Sequence, residues 1–193
     1  MALLDWMAPD VSDLVVEGEG VRLRPPRMGD FRDWAALRAA SRAFLQPWEP
    51  RWPADDLTRA AFRRRLSVYA REIDAGHAFP FLVFRHEDGA LVGGVTLSNV
   101  RRGVAEMGTL GYWVGEPFTR RGYTSAAVRA VLRFAYRDLR LHRVEAACLP
   151  ENAASRGVLA RCGFVEEGRA AAYLKINGEW RDHLLFGRLD EAR

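Results

Sequence analysis

The order of the sequence elements predicts an α/β (α+β) chain folded as a single domain over 1–193, a mixed sheet with helices packed on it. Three observations carry that expectation. The run Val21-Arg22-Leu23-Arg24 alternates apolar and charged residues, as a half-buried strand does. Two apolar runs, Phe79 to Arg85 and Leu91 to Val100, flank the turn Glu87-Asp88-Gly89 and read as a hairpin. Val128, Val131, Leu132, Ala135 and Leu139 recur at helical spacing and form one apolar stripe.

The remaining elements follow in order. Residues 1–20 are mixed and read as a loosely held arm. Pro25 and Pro26 end the first strand, and Asp30 is suited to cap a helix carrying Phe31, Trp34, Leu37 and Arg38. The stretch Phe44 to Pro53 holds three prolines and cannot be a regular helix. A second helix is expected from Asp55 to about Asp74, with Phe62, Leu66, Tyr69 and Ile73 on one face and Arg63, Arg64 and Arg65 turned elsewhere. Glu106 to Val114 reads as a strand in which Gly108 and Gly111 suggest a bulge or a close backbone approach. A helix follows Gly122, with Arg129, Arg133, Arg137 and Arg140 opposite its apolar stripe as a solvated face. Arg143 to Cys148 is a short buried strand. Asn152 then caps a helix that ends at Cys162-Gly163. Phe164 to Glu166 opens a strand, and His183 to Leu189 is the last.

Composition narrows the class. A hydrophobic share of 49% and a charged share of 28% exclude intrinsic disorder. No apolar run approaches the ~18 residues of a membrane span, and the start lacks the basic region of a signal peptide. Cys148 and Cys162 are too few for a zinc site or a disulfide framework and read as reduced core thiols in a cytoplasmic protein. The four histidines show no metal spacing, so no metal is expected. The net charge is +4, and of 29 basic residues only Lys175 is lysine. Arginine forks suit phosphate, which fits nucleic acid, a ribosome contact or a phosphate-rich cofactor as well as a solvated surface.

Two segments carry chemistry. In Gly111-Tyr112-Trp113-Val114-Gly115-Glu116-Pro117-Phe118-Thr119-Arg120-Arg121-Gly122-Tyr123-Thr124 a strand ends, an arginine-containing loop follows and a helix begins. A helix start offers unpaired N–H groups and partial positive charge, which favour phosphate. Gly122 lets a ligand approach the backbone, and Arg120 and Arg121 add charge. A plain strand–helix turn with solvated arginines fits the same residues. In the second segment, Cys148-Leu149-Pro150-Glu151-Asn152-Ala153-Ala154-Ser155, Asn152 and Ser155 are either a helix cap and its third residue or side chains at the sheet edge where ligands bind in open sheets.

Together these segments resemble the GNAT superfamily of N-acetyltransferases, and within it the branch of ribosomal-protein alanine N-acetyltransferases. The resemblance spans residues 20 to 190. It rests on Pro150-Glu151-Asn152-x-x-Ser155 with Gly163-Phe164, on Gly178-Glu179-Trp180-Arg181-Asp182-His183, and on Leu45-Gln46-Pro47-Trp48-Glu49-Pro50. The superfamily's pyrophosphate motif falls on Thr119-Arg120-Arg121-Gly122-Tyr123-Thr124. Its central glycine is kept, and threonine stands at the first and last positions.

The resemblance implies a GNAT-type sheet, mostly antiparallel and twisted, with a splayed parallel strand pair and helices on both faces. It implies acetyl-CoA as cosubstrate, held along Trp113 and Val114, by the backbone of Thr119, Arg120, Arg121, Gly122, Tyr123 and Thr124, and by Asn152. Ser155 is the implied proton donor to the leaving thiolate. The tyrosine that many members carry on this helix is replaced here by Leu159. Tyr112 and Tyr173 are alternative donors or packing residues. Glu106 and Glu145 are the candidate bases, each acting through water, because the place where close relatives carry a glutamate reads Ala172-Tyr173-Leu174-Lys175. Trp48, Trp52 and Trp180 are candidates to wall the acceptor cleft, or they pack loops.

The expected acceptor is the N-terminal α-amino group of a protein, with a ribosomal protein implied by the resemblance. A small amine such as an antibiotic, and a non-catalytic acetyl-CoA-binding module, are the alternatives. A strongly cationic acceptor needs several cleft carboxylates, and the motifs offer only Glu106, Glu116 and Glu151. The chain is expected as a monomer or homodimer.

Overall fold

The computed structural model describes residues 14–191. One eight-stranded sheet runs through it in the order β1-β2-β3-β4-β5-β6-β8-β7. The strands are β1 (Val16–Gly18), β2 (Val21–Arg24), β3 (Phe79–Arg85), β4 (Leu91–Arg101), β5 (Met107–Val114), β6 (Arg143–Cys148), β7 (Val165–Ile176) and β8 (Glu179–Leu189). The helices are α1 (Phe31–Ala40), the single turn α2 (Arg42–Leu45), α3 (Arg59–Asp74), α4 (Tyr123–Arg133) and α5 (Ala153–Arg161). Every pairing is antiparallel except that of β5 with β6.

Strand alternation distributes the core to both faces of this sheet. Phe79, Phe81 and Val83 of β3 join Val95, Leu97, Val144 and Phe186 beneath α4 and α5. Leu82 and Phe84, one residue out of phase, turn to the other side and meet Trp34 of α1 and Phe62 of α3. The apolar stripe of α4 is fully buried at Val128 and Val131. Each such side chain contributes about 1.5–3 kcal/mol of apolar burial. Beyond Arg133 the helix widens into a π-turn, Phe134–Asp138, closed by Leu139 N–H to Phe134 O.

Several expectations are corrected. Residues 14–18 are not a loose arm: Leu14 and Val16 are buried, and β1 pairs with β2. The arginine face of α4 explains this, because Arg133 donates to Glu17 O at 2.9 Å and Arg129 pairs with Glu19 at 3.4 Å. Two of those four arginines therefore fasten β1 and are not simply solvated. Residues 1–13 of the expected arm lie outside the described residues. Asp30 does not cap α1. Its carboxylate turns back to accept from Arg24 at 2.6 and 2.8 Å and from Arg27 N–H at 2.7 Å. α3 starts at Arg59, capped by Thr58, and Asp56 reaches forward to Arg65. Arg65 in turn lies over the Trp34 ring at 4.9 Å, so it faces the sheet side that was expected to exclude it.

At Gly108 an added Cβ would stand 2.9 Å from Leu97, a close approach, whereas Gly111 faces open space. The register shift lies in the β4–β5 ladder between Ser98 and Arg101. The last strand begins at Glu179, four residues earlier than expected. Asn177 and Gly178 are both left-handed and make it a hairpin with β7. Cys148 and Cys162 are free and buried.

Candidate active site

β5 and β6 stay paired for three rungs, Met107 with Arg143, Gly108 with Val144 and Thr109 with Glu145. Past these rungs β5 remains bonded to β4 up to Val114, and β6 to β8 up to Cys148. The two strands splay, and a gap opens between them at the C-terminal edge of the sheet. Gly115 N–H bonds Val92 O at 2.9 Å, toward β4. Ladder alternation therefore sends the N–H groups of Tyr112 and Val114 the other way, into the gap. Trp113 and Gly111 face the α1–α3 side, and Tyr112 the α4–α5 side.

The loop from β5 to α4 lies beside this gap. Its fold depends on contacts from the opposite layer: Ser41 Oγ accepts Glu116 N–H at 2.9 Å, and Gly115 presses on Leu37, which a Cβ would meet at 2.3 Å. Thr119 spends both its N–H and its hydroxyl on Glu116 O. Arg120 (φ 59°) and Gly122 (φ 84°) are left-handed, a conformation that turns successive N–H groups inward and suits an anion. α4 then begins with no side-chain cap, so among the described residues the N–H groups of Tyr123, Thr124 and Ser125 have no side-chain partner. Arg120 and Arg121 have no side-chain ion pair among the described residues. Arg85, at the end of β3, also lies beside this start, a neighbour that sequence reading missed, with its guanidinium already bound to the Asp88 carboxylate at 2.9 Å. It is hydrogen-bonded to the Tyr123 hydroxyl and lies 5.7 Å from the Phe118 ring.

Across the gap, Asn152 Oδ1 accepts Ser155 N–H at 3.0 Å and caps α5. Its amide nitrogen has no partner among the described residues. The Ser155 hydroxyl is 2.8 Å from the Tyr112 hydroxyl, so a bond joins β5 to α5. Burial pushes the Tyr112 phenol far above its ordinary value and raises the Cys148 thiol, which also lies beside the Ser155 hydroxyl. Leu159 is fully buried in the core.

The two candidate bases are separated. Glu145 stands at the last paired rung, with Arg143 3.0 Å away and Glu167 on the same guanidinium. Glu106 precedes β5 at the closed end of the pair, in a left-handed conformation, and its carbonyl accepts His142 N–H.

On the other face of the sheet α1 and α3 cover β3 to β5, and the turn of the β7–β8 hairpin meets the segment that follows α2. A cavity of about 170 Å³ is lined by Trp34, Arg38, Tyr69, Thr96 and Trp113 among others. Arg38 lies 4.1 Å from the Trp52 ring and 4.9 Å from the Trp113 ring, with Glu49 bound to both its terminal nitrogens at 2.7 and 2.8 Å. At the hairpin tip Asn177 N–H bonds Glu49 O, and Gln46 reaches Asn177 Oδ1. Trp48 is part-buried, and Trp180 is largely exposed on β8. Buried His183 bonds Arg181 O and meets the Tyr173 ring at 5.8 Å. Among the described residues no cluster of three or more histidine, cysteine or carboxylate groups is arranged to hold a metal, and no helix is long and apolar enough to cross a membrane.

A split parallel strand pair with an anion-suited helix start beside it is the framework of an acyltransferase. A family described as the acetyltransferase (GNAT) domain matches residues 21–165. A probable N-acetyltransferase of Bacillus subtilis, YjcK, is 30% identical over 91% of this chain and 97% of its own length. The [ribosomal protein uS5]-alanine N-acetyltransferase of Escherichia coli is 36% identical over 76% of each chain. The solved structure of Mycobacterium smegmatis RimJ in complex with CoA-disulfide superposes with a TM-score of 0.86 at 36% identity, covering 93% of this chain and 87% of that one. The chain belongs to the GNAT acetyltransferase family.

Proposed function

We propose that this protein transfers the acetyl group of acetyl-CoA to the N-terminal α-amino group of a ribosomal protein, which places the reaction in the cytoplasm. The observation that carries the reading is the gap between β5 and β6, with inward N–H groups of Tyr112 and Val114 and the uncapped start of α4 beside it. The names of the two relatives at 30% and 36% identity support N-acetyl transfer, and that of the Escherichia coli relative supports a ribosomal-protein alanine as the acceptor.

The roles follow from the chemistry. N–H groups from Arg120 to Thr124 hold the diphosphate, with Arg120 and Arg121 adding charge. Thr119 shapes this turn through Glu116 O. The Asn152 amide bonds the pantetheine arm, which runs along Trp113 and Val114. The Val114 N–H faces the thioester oxygen as it gains negative charge. The amine nitrogen attacks the carbonyl carbon, the C–S bond breaks, and Ser155 donates a hydrogen bond to the departing thiolate. The amine's proton leaves through water to Glu145, better placed at the mouth of the gap than Glu106 at its closed end.

Acceptor choice rests on protonation. An α-amino group ionises near ~7.8 and lysine near ~10.4, so lysine costs about 3.5 kcal/mol more to present as a neutral amine at neutral pH. The carboxylates on the acceptor side support a monocationic acceptor over a polycation, because Glu49, Asp56, Glu145 and Glu151 are each already paired with an arginine. The test is to follow thiol release from acetyl-CoA with peptides beginning in alanine or serine beside a panel of small amines. Peptide-dependent release is expected. Release with small amines alone would transfer the reading to that class, and tight CoA binding without turnover would leave a binding module.

A further inference from the structure

We infer that Tyr112 is the positioning residue for Ser155, holding the serine oxygen as acceptor so that its proton points to the sulfur of the leaving CoA. The inference rests on the role given to Ser155 above. A serine hydroxyl is a weak acid, and its grip on a thiolate depends on what its own oxygen receives. α5 carries no phenol for the task, since Leu159 is fully buried.

Tyr112 reaches it from another strand. Its side chain leaves β5 on the α4–α5 side, crosses the gap and places its hydroxyl 2.8 Å from Ser155 Oγ and 3.3 Å from Ser155 O. Burial keeps this phenol protonated throughout the working pH range, so it is a constant donor. Among the described residues its two hydrogen-bond partners are both oxygens of Ser155, and the inference assigns the phenol's single hydrogen to the shorter contact, to Oγ, over the carbonyl. A phenol donating to Oγ fixes the serine rotor and leaves one hydrogen, which must point away from Tyr112. When the C–S bond breaks, charge gathers on the departing sulfur, Ser155 donates to it more strongly, and the bond from Tyr112 strengthens in step.

The test compares Tyr112→Phe, Ser155→Ala and the double variant in the full chain, with two readouts. The first needs no acceptor: the thiolate absorbance of bound CoA is titrated against pH, with the CoA-free protein as blank. The CoA thiol is expected to ionise about half a unit or more higher in Tyr112→Phe than in the parent, with the double variant matching Ser155→Ala. The second is turnover with the acceptor found by the screen. Tyr112→Phe is expected to lower kcat about tenfold with the KM for acetyl-CoA within about twofold, and the double variant to be no slower than Ser155→Ala. A parental CoA titration in Tyr112→Phe, or losses in the two single variants that multiply, would overturn the inference. A parental titration in Ser155→Ala would remove the role of Ser155 and this inference with it. Failure to find an acceptor would count against the acceptor reading and leave the CoA titration to decide here.

Discussion

Arg38 offers the sharpest check on the acceptor-side architecture. Its side chain is 9% exposed and is paired with a Glu49 carboxylate that is itself 19% exposed. Arg38→Met removes two charge-assisted bonds, at 2.7 and 2.8 Å, and withdraws the cation from the Trp52 and Trp113 rings. Glu49 then keeps Trp52 Nε1 at 2.7 Å as its side-chain donor. Breaking a buried pair from one side costs about 3–5 kcal/mol, mostly because the surviving charge is left uncompensated. For a chain of this length each kcal/mol moves Tm by about 2–4 °C, so a fall of roughly 6 to 20 °C is expected in a thermal melt followed by circular dichroism. The Arg38→Met/Glu49→Leu double variant removes both charges and is expected to recover most of the loss, short of about 1 kcal/mol for the orphaned Trp52 N–H. A single-variant fall under about 3 °C, or a double variant less stable than the single, would refute the claim that this pair is buried and mutually dependent. The KM for the peptide acceptor should rise with the loss, because Trp113 lines the cavity beside Arg38.

Two further outcomes are expected. Gly122→Val places a β-branched residue at φ 84° where nothing lies within 4 Å of the new Cβ, so about 1–2 kcal/mol of stability is lost. The new side chain stands in the open space beside the α4 start that the diphosphate would use, so CoA affinity by calorimetry should fall more than about tenfold, and unchanged affinity would remove the diphosphate from this turn. Tyr136, whose hydroxyl bonds Arg188 O at 3.0 Å, is pushed up to about 12, chiefly by burial. The unfolded chain therefore loses this proton first. The corresponding stability is fully present below pH ~10 and is lost between pH ~10 and 12. Tyr136→Phe should flatten that alkaline decline in urea melts, and an unchanged slope would place the titration elsewhere.

Local rules carried much of this chain. The cap at Asn152 and the left-handed Gly163 delimit α5 where the residues indicated, because both act within a single helical turn. The hairpin of Phe79 to Arg85 with Leu91 to Val100 and the α4 stripe were legible for the same reason. The β7–β8 hairpin was not, although Asn177-Gly178 marks its turn. β7 is exposed along nearly its whole length, so it lacks the apolar alternation that reveals a half-buried strand. β1 was missed because the residues that fasten it, Arg129 and Arg133, lie more than a hundred positions away.

The same division holds at the site. The amino-acid order was enough to mark Gly122, Asn152 and Ser155, since helix starts and caps are built from neighbours in the chain. It did not indicate that Tyr112 spans to Ser155, that Arg85 joins the α4 start, or that Arg38 holds two tryptophans and Glu49 together. Nor did it separate Glu145 at the open end of the strand pair from Glu106 at the closed end. Those outcomes depend on where β5 and β6 cease to pair, and strand register is set by packing across the whole sheet and not by the residues of either strand alone.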